Sequence, residues 1–364
     1  MRGTFKIAKL FGIPVMLHWS FLLLVPFGVY YSQALELTGQ EVQWWSLLSV
    51  SVVTCILFHE IGHALIAKRY GVETQDIILF PIGGMARLNR LPDKPVQELL
   101  VALAGPMMNV LIAALLFPFF WFLTRPYLVL HDIPSPENID DNFFLFLPLL
   151  LFLNLLLAVF NLIPAFPMDG GRILRALLSI KWGRVKATKV AVVIGLVVAV
   201  GLTGLGVWLG RYSYLFIGFF IAYTAIREYS WVKTEHLLAS YKVADVFLRD
   251  HLVLSLSDVL QKAVDAFEIS GQQGFIVFGE SGDPVGTIDL AEMTELENKR
   301  TAQVKDYYKN GFGKIKATAT LKEANSMMQH GGHSILGVVG EDGLIGVLEE
   351  AMVWNHLSSE NATT

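Results

Sequence analysis

Cysteine and charge are both scarce in this chain. Its single cysteine, Cys55, cannot form a disulfide within the chain, so a disulfide-stapled scaffold is excluded. Charged residues make up 16% of the 364 residues and hydrophobic residues 54%, whereas soluble globular domains carry about 25% charged residues. The net charge of −4 offers no broadly basic surface, so we expect no nucleic-acid partner. The composition predicts a membrane protein.

Long apolar runs occupy most of the first 230 residues. A helix needs roughly 20 apolar residues to cross a bilayer, and we count six such runs. Pro164 and Pro167 predict a break in the fourth, which is overlong. The pattern predicts a polytopic α-helical membrane protein of about six transmembrane helices, with a retained first span; an uncleaved signal anchor would look the same. The runs are residues 13–31, 45–67, 97–123, 143–178, 190–209 and 212–228.

Charge alternates between successive loops. Short cytoplasmic loops carry an excess of Lys and Arg, so the alternation predicts a multi-pass inner-membrane protein with both termini in the cytoplasm. The basic segments hold Arg2, Lys6 and Lys9, then Lys68, Arg69, Arg87, Arg90 and Lys94, then Lys181, Arg184, Lys186 and Lys189; the acidic ones hold Glu36 and Glu41, then Asp132, Glu137, Asp140 and Asp141.

An H-E-x-x-H motif, His59 to His63, lies inside the second apolar run. A carboxylate at the centre of a membrane helix costs roughly 2.5–3.5 kcal/mol, and a bound cation would offset that cost. On a helix the two histidines stand at i and i+4 on one face, where both reach one zinc ion. The alternative is a chance motif whose histidines are hydrogen-bonded in a core. The membrane depth favours a zinc site.

Cys55 is a nearby candidate for a third ligand, because it is four residues before His59. Cys55 and His63 are eight residues apart, which is about 12 Å along a helix axis. One ion cannot contact both on a straight helix, so we exclude Cys55.

Asp169 is the better third ligand. It follows the helix-breaking prolines of the fourth run, and irregular backbone at membrane depth is tolerated only beside protein or a water-filled cavity. His63 lies five residues before Lys68 and Asp169 three before Arg172, so both segments enter from the basic, cytoplasmic side. The two side chains are therefore predicted at similar depth.

Glu60 is the predicted general base. It lies between the histidines, beside a water that zinc activates, and would take that water's proton during attack on a carbonyl. The competing hypothesis is a catalytically silent zinc-binding scaffold or a transporter. A transporter needs ligands but no base, so the presence of Glu60 favours an enzyme.

The tail contains an internal repeat. Residues 274–293 align with 334–353, with Gly286 matching Gly346, and each copy reads as strand, turn, strand and helix after a helical stretch. Two unrelated α/β segments of similar composition are the alternative. We divide the chain into a membrane domain, 1–235, and two repeats, 242–297 and 301–358.

These motifs together resemble the site-2 protease family of intramembrane zinc metalloproteases. The resemblance rests on the segment around His59–His63, on residues 104–109 of the third run (AGPMMN) and on residues 161–172 (NLIPAFPMDGGR). It implies one zinc bound by His59, His63 and Asp169, catalysis by Glu60, and cleavage within transmembrane helices of substrates such as anti-sigma factors, tethered transcription factors or remnant signal peptides. Asn161 matches the asparagine of the family's aspartate motif. It either orients the substrate or stabilises the oxyanion, or it makes a hydrogen bond to the backbone where the helix breaks.

Three further features of the membrane domain have expected roles. Residues 77–88 resemble the family's membrane-associated β-hairpin, whose edge could pair with unwound substrate; a plain connecting hairpin is the alternative. The segment with Gly105, Pro106 and Asn109 is expected to serve helix packing. His18 is expected to be an interfacial or packing histidine.

The repeated tail resembles a tandem pair of cystathionine-β-synthase (CBS) domains. Such pairs often bind adenine nucleotides and regulate the attached enzyme, and they can form homodimers. Nucleotide-binding copies usually carry an Asp for ribose, but Glu292 and Met352 stand at that position here. Nucleotide binding, dimerisation and substrate gating therefore remain alternative roles.

Overall fold

The computed structural model describes residues 3–81, 83–90, 92, 94–130, 142–249, 251–293, 301–341 and 343–363. The chain divides into two compact units. The N-terminal unit spans Met1–Tyr229 and the C-terminal unit Ser230–Thr364.

The N-terminal unit combines helices with one four-stranded sheet. The strands are β1 (Thr4–Leu10), β2 (Ile13–His18), β3 (Thr74–Phe80) and β4 (Gly83–Leu88), in that order across the sheet. A short 3-10 helix, Trp19–Leu23, follows β2. The helices are α1 (Leu24–Ala34), α2 (Gly39–Arg69), α3 (Pro95–Leu130), α4 (Asn142–Asn161), α5 (Asp169–Trp182), α6 (Arg184–Leu209) and α7 (Tyr212–Ser240), the last of which contains the boundary between the units.

Three helices of the described residues are long and apolar enough to cross a membrane. They are Gly39–Arg69, Pro95–Phe122 and Arg184–Leu209, and the predicted count of six is not confirmed. The fourth run breaks as predicted, with α4 ending at Asn161 and α5 beginning at Asp169. The sixth run forms α7, which is not among these three helices.

The first predicted span is wrong at its start. Residues 13–18 form strand β2, in which Ile13 and Val15 point alternately into the core with period two. The helical part of this run is divided between the short 3-10 helix and the 11-residue α1. The run looked like one span because a buried strand and an apolar helix follow each other without a polar break.

The sheet packs against α2 near the histidines. Its core includes Val15 and Ile77 from the sheet and Ile61 and Ala64 from α2. β2 and β3 pair in parallel, and the other pairs are antiparallel. The segment predicted as a hairpin forms β3 and β4, so β4 is an edge strand.

Helix α2 has strong end signals. Thr38 and Glu41 form a capping box at its N-terminus, where each bonds the other's backbone N–H. Lys68 and Arg69 occupy its last turn, where positive charge suits the helix dipole. These signals place the motif near the C-terminal end of a 31-residue helix.

The C-terminal unit contains one order of elements twice. A short 3-10 helix and a strand precede helix α8 (Leu260–Ser270) and strands β6 (Gly274–Phe278) and β7 (Pro284–Asp289). The second copy has helix α9 (Leu321–Gly331) and strands β10 (Ile335–Gly340) and β11 (Gly343–Glu349), and ends in α10 (Glu350–Thr363). The shorter strands are β5 (Leu254–Ser255), β8 (Lys309–Asn310) and β9 (Gly313–Lys316).

The two copies exchange their leading segments. Leu248, in the leading segment of the first copy, bridges to Val347 of β11, while β8, in the leading segment of the second copy, pairs with β7 of the first. The matched glycines lie where these segments cross. A Cβ on Gly286 would overlap the carbonyl of Lys309, and one on Gly346 would lie 2.5 Å from the carbonyl oxygen of Leu248. The repeated glycine therefore allows the exchange.

Candidate metal centre

Three side chains converge in the N-terminal unit. His59 and His63 lie one turn apart on α2, with their Nε2 atoms 3.2 Å apart. Asp169 is the first residue of α5, and its Oδ2 lies 3.1 Å from each Nε2. All three side chains are buried, and they are the one such group of metal-ligating side chains among the described residues.

The break between α4 and α5 brings Asp169 to this point. The chain folds back tightly on itself there, since a Cβ on Gly170 would overlap the carbonyl of Ile163. A Cβ on Gly171 would lie 2.8 Å from the backbone of Ala165. The glycine pair thus lets α5 begin against its own preceding loop, with the carboxylate facing α2.

The outer nitrogens of both histidines are already engaged. The Nδ1 of His63 donates to the carbonyl of Val101 at 2.7 Å, and that of His59 to Oδ1 of Asn109 at 3.1 Å. Because a carbonyl oxygen only accepts, each Nδ1 carries a proton, and in the neutral imidazole that binds a metal each Nε2 then presents a lone pair. Two lone pairs and a carboxylate thus face one another in a buried site.

This donor set fits a zinc ion. Three acceptors without a proton among them repel one another, and a divalent cation removes that repulsion. Two histidines and one carboxylate are a usual catalytic set, and histidine ligands typically donate their other N–H to a carbonyl or carboxylate. The residues present therefore fit the metal.

Helix α3 supplies two residues whose part in the site sequence reasoning missed. Asn109 is fully buried and bonds His59. A Cβ on Gly105 would overlap Nε2 of His63 and lie 2.7 Å from Nε2 of His59. We expected this segment to serve helix packing, and it also shapes the metal centre. The sequence signal that could have indicated a role for Asn109 in the site is its polar amide side chain within an apolar run.

Glu60 lies beside the centre and outside the converging group. Its Oε2 accepts a hydrogen bond from the backbone N–H of Ala86 on β4 at 2.9 Å. Cys55 is also outside the group, and its Sγ accepts a hydrogen bond from Nδ2 of Asn154 at 3.3 Å.

Two other predicted residues have local partners. Asn161, the last residue of α4, donates through Nδ2 to the carbonyl of Leu157 at 3.0 Å. His18 caps the short 3-10 helix by accepting from the N–H of Ser20, and its ring lies 4.9 Å from that of Phe80. These contacts fit a helix-end role for Asn161 and a packing role for His18.

A buried ionic group holds the helices around the centre. Arg175 of α5 is 0% exposed, and its Nε donates to Oε1 of Glu98 on α3 at 2.6 Å. It also pairs with Glu228 of α7, and Arg184 of α6 binds the second oxygen of Glu98 at 2.9 Å. The charges are paired, as buried charges must be. They tie the helix that carries Asp169 to three others.

Comparison with known proteins identifies the family. The model of peptidase family M50 matches residues 47–133 and 129–202. A zinc metalloprotease of Methanocaldococcus jannaschii is 30% identical over 84% of this chain and 83% of its own length.

Solved structures also match. A site-2 protease from Methanocaldococcus jannaschii is 32% identical and covers 62% of this chain and 95% of its own, with a TM-score of 0.45. The CBS domains of a transcriptional regulator from Streptococcus pneumoniae cover 31% of this chain and 97% of their own at 13% identity, with a TM-score of 0.26.

The sequence relationship, the apolar helices and the zinc-fitting centre agree. The chain is a membrane protein whose metal is zinc. It belongs to peptidase family M50, the site-2 protease family, and is an intramembrane zinc metalloprotease.

Proposed function

We propose that one zinc ion per chain is held by His59, His63 and Asp169, and that Glu60 is the general base in cleavage of a peptide bond within a substrate's transmembrane segment. The supporting observation is the buried meeting of two Nε2 lone pairs and a carboxylate oxygen within 3.1–3.2 Å. The engaged Nδ1 atoms leave both Nε2 atoms directed at the carboxylate of Asp169, as metal ligation requires.

Zinc held there would supply Lewis-acid activation of a water molecule near neutral pH. Glu60 takes the proton of the attacking water and returns it to the leaving amine nitrogen. The buried walls around the histidines exclude bulk water, which strengthens each charge interaction. Asn109 and Val101 hold the imidazole rings in one tautomer. Asn161 either orients substrate or serves the helix end, and its bond to Leu157 supports the second role.

The edge of β4 is the proposed docking site for an unwound substrate. A transmembrane helix must become extended before its peptide bond can be attacked, and a free sheet edge pairs readily with an extended segment. The strand lies beside Glu60, so a paired segment would run next to the base. A plain hairpin role predicts no loss of substrate affinity when the backbone N–H groups of this edge that do not contact Glu60 are removed.

Substitution Glu60→Gln tests the assignment of the base. It removes the proton acceptor while keeping size and polarity, so cleavage of a single-span transmembrane peptide in proteoliposomes should fall by about 10²–10⁴-fold. Zinc content should stay at one per chain. Undiminished cleavage would contradict the mechanism.

Metal analysis tests the ligand set, and cleavage by the unaltered chain separates the enzyme from its rival, a catalytically silent zinc-binding scaffold or transporter. The His59→Ala, Asp169→Ala double variant should bind no zinc, and full stoichiometry would remove the proposed ligand set. A scaffold would keep zinc but show no cleavage in the unaltered chain.

We further propose that the C-terminal unit is a tandem CBS pair, 242–297 and 301–358, that regulates the membrane domain, 1–235. The repeated order of elements and the exchanged segments support it. Comparing cleavage with and without ATP, and with residues 242–364 removed, tests regulation. No effect of either change would contradict it. Sedimentation of the full chain in detergent tests a homodimer.

The proposed substrates are membrane-tethered proteins such as anti-sigma factors, tethered transcription factors or remnant signal peptides, cleaved in the inner membrane. The proposed topology is multi-pass with both termini cytoplasmic, supported by the distribution of basic residues. Protease accessibility of tags at each end, in inverted and right-side-out vesicles, tests it.

A further inference from the structure

Strand β4 has one paired edge and one free edge. Among the described strands it pairs with β3 alone, with Ile77 opposite Ala86 and Leu79 opposite Gly84. The N–H of Ala86 is directed away from β3, because it donates to Oε2 of Glu60 on α2. The free edge of β4 therefore contacts the proposed general base directly.

Gly84 lies two residues before Ala86, so it shares the same edge. A Cβ there would lie 2.6 Å from Cγ of Glu60 and 3.2 Å from its Oε1. The backbone of Gly84 is not in the left-handed region, which means that its conformation suits any residue. The glycine is required for space, since only its missing side chain lets the strand approach Glu60 this closely.

The helix explains why Glu60 needs such support. Successive residues on a helix point about 100° apart, so Glu60 leaves the helix sideways from His59, beside the face that carries the two histidines. A glutamate has three rotatable side-chain bonds, and holding them in one rotamer costs conformational entropy that a contact must offset. The Ala86 N–H fixes one carboxylate oxygen, and the gap at Gly84 fixes the position of the methylene groups.

We propose that β4 positions the general base: the amide of Ala86 and the empty side-chain space at Gly84 form a socket that holds the carboxylate of Glu60 for proton transfer. The inference rests on the proposed role of Glu60. Ala86 and Gly84 are positioning residues that act through Glu60. The amide of Ala86 is committed to the base, so a substrate strand pairs with β4 at the residues beside it.

Steady-state kinetics in proteoliposomes tests the socket, with a single-span transmembrane peptide as the probe. Gly84→Ala and Ala86→Pro should each lower kcat by about 10–100-fold, because misplacing a catalytic group by about 1 Å has effects of this size. The KM should stay within about twofold of the unaltered chain and zinc should stay at one per chain. Proline is tolerated where an edge N–H faces away from the sheet, so β3 and β4 should still pair.

Two matched variants complete the kinetic test. Ala86→Gly keeps the N–H and should retain most of the turnover that Ala86→Pro loses. Gly201→Ala adds the same methyl group where nothing lies within 4 Å, and should leave kcat unchanged. A raised KM at unchanged kcat would show that β4 acts by docking alone, and loss of zinc would show a structural role; either result overturns the inference.

Hydrogen–deuterium exchange of the metal-free full chain supplies a test without turnover. In Glu60→Ala the amide of Ala86 loses its acceptor, so the peptide covering residues 83–88 should gain about one fast-exchanging amide. Unchanged exchange would overturn the socket even if Glu60→Gln abolishes cleavage. Conversely, faster exchange in Glu60→Ala together with full cleavage by Glu60→Gln would support the contact between Ala86 and Glu60 but contradict the proposed role of Glu60 as the general base.

Discussion

The two units differ in the polar side chains that they bury and in the apolar side chains that they expose. In the N-terminal unit, the buried residues include histidine, aspartate, asparagine and arginine, while large apolar side chains such as Trp208 are 80% exposed. In the C-terminal unit, Phe275 and Leu336 are fully buried in apolar clusters. An apolar exterior costs little in lipid, and the polar groups of a membrane protein lie in its interior, where they pair with one another or serve a functional site. In water, the apolar core itself must supply the stability.

The largest expected effect comes from adding one methyl group to the metal centre. Gly105→Ala places a Cβ against Nε2 of both histidines, so it should abolish zinc binding and cleavage together. Elemental analysis and the proteoliposome assay measure both. Gly204→Ala, where nothing lies within 4 Å, should change neither. Full zinc in Gly105→Ala would show that the site relaxes around the methyl group.

A matched pair of phenylalanine truncations tests the difference in cores. Phe275→Ala should lower the free energy of opening of the C-terminal unit by about 3–5 kcal/mol, because it removes a fully buried ring. Phe219→Ala in the N-terminal unit removes a ring that is 71% exposed, and should change stability by less than about 0.5 kcal/mol. Hydrogen exchange of the peptides in each unit measures both values. Equal losses of stability in the two variants would contradict the proposed difference between the two cores.

Asn109 tests whether the buried polar groups of the N-terminal unit serve the metal. Asn109→Leu removes the acceptor for Nδ1 of His59, and zinc affinity should fall by about 10–100-fold. Competition with a chelator of known affinity measures it. Asn109→Asp keeps an oxygen there and should lose less. An affinity unchanged in Asn109→Leu would reduce Asn109 to a packing residue.

The smallest effect concerns the one carboxylate that the C-terminal unit buries among its described residues, Glu349. Burial raises its pKa, opposed by bonds from the N–H groups of Gly274 and Gln273 and assisted by the charge of Asp289. The folded state therefore holds the proton more tightly than the unfolded state, so stability falls as pH rises from the ordinary pKa of about 4.3 to the raised value.

Glu349→Gln should remove that pH dependence while keeping an acceptor for both N–H groups. The variant and the unaltered chain should agree in stability below about pH 4, and the unaltered chain should become relatively less stable above the raised pKa. Hydrogen exchange of the C-terminal unit across this range measures the difference. Parallel pH profiles would mean that Glu349 does not titrate differently in the folded state.

The motif residues were predictable because their chemistry is encoded at short spacing. His59 and His63 face one way on any helix, and the helix break before Asp169 is written in two prolines and two glycines. The structure brings the side chains of these three residues together. The predicted first span was wrong because hydropathy measures apolar length, and β2 and α1 are both apolar.

The family, the metal and the break in the fourth run could be predicted from the sequence, since each depends on residue type and local order. Only the tertiary structure decided that β4 meets Glu60, that Asn109 bonds His59, and that the repeats exchange their leading segments. These facts depend on which surfaces pack together across tens of residues. Such packing depends on the shape of the whole unit, so it cannot be predicted from any single sequence motif.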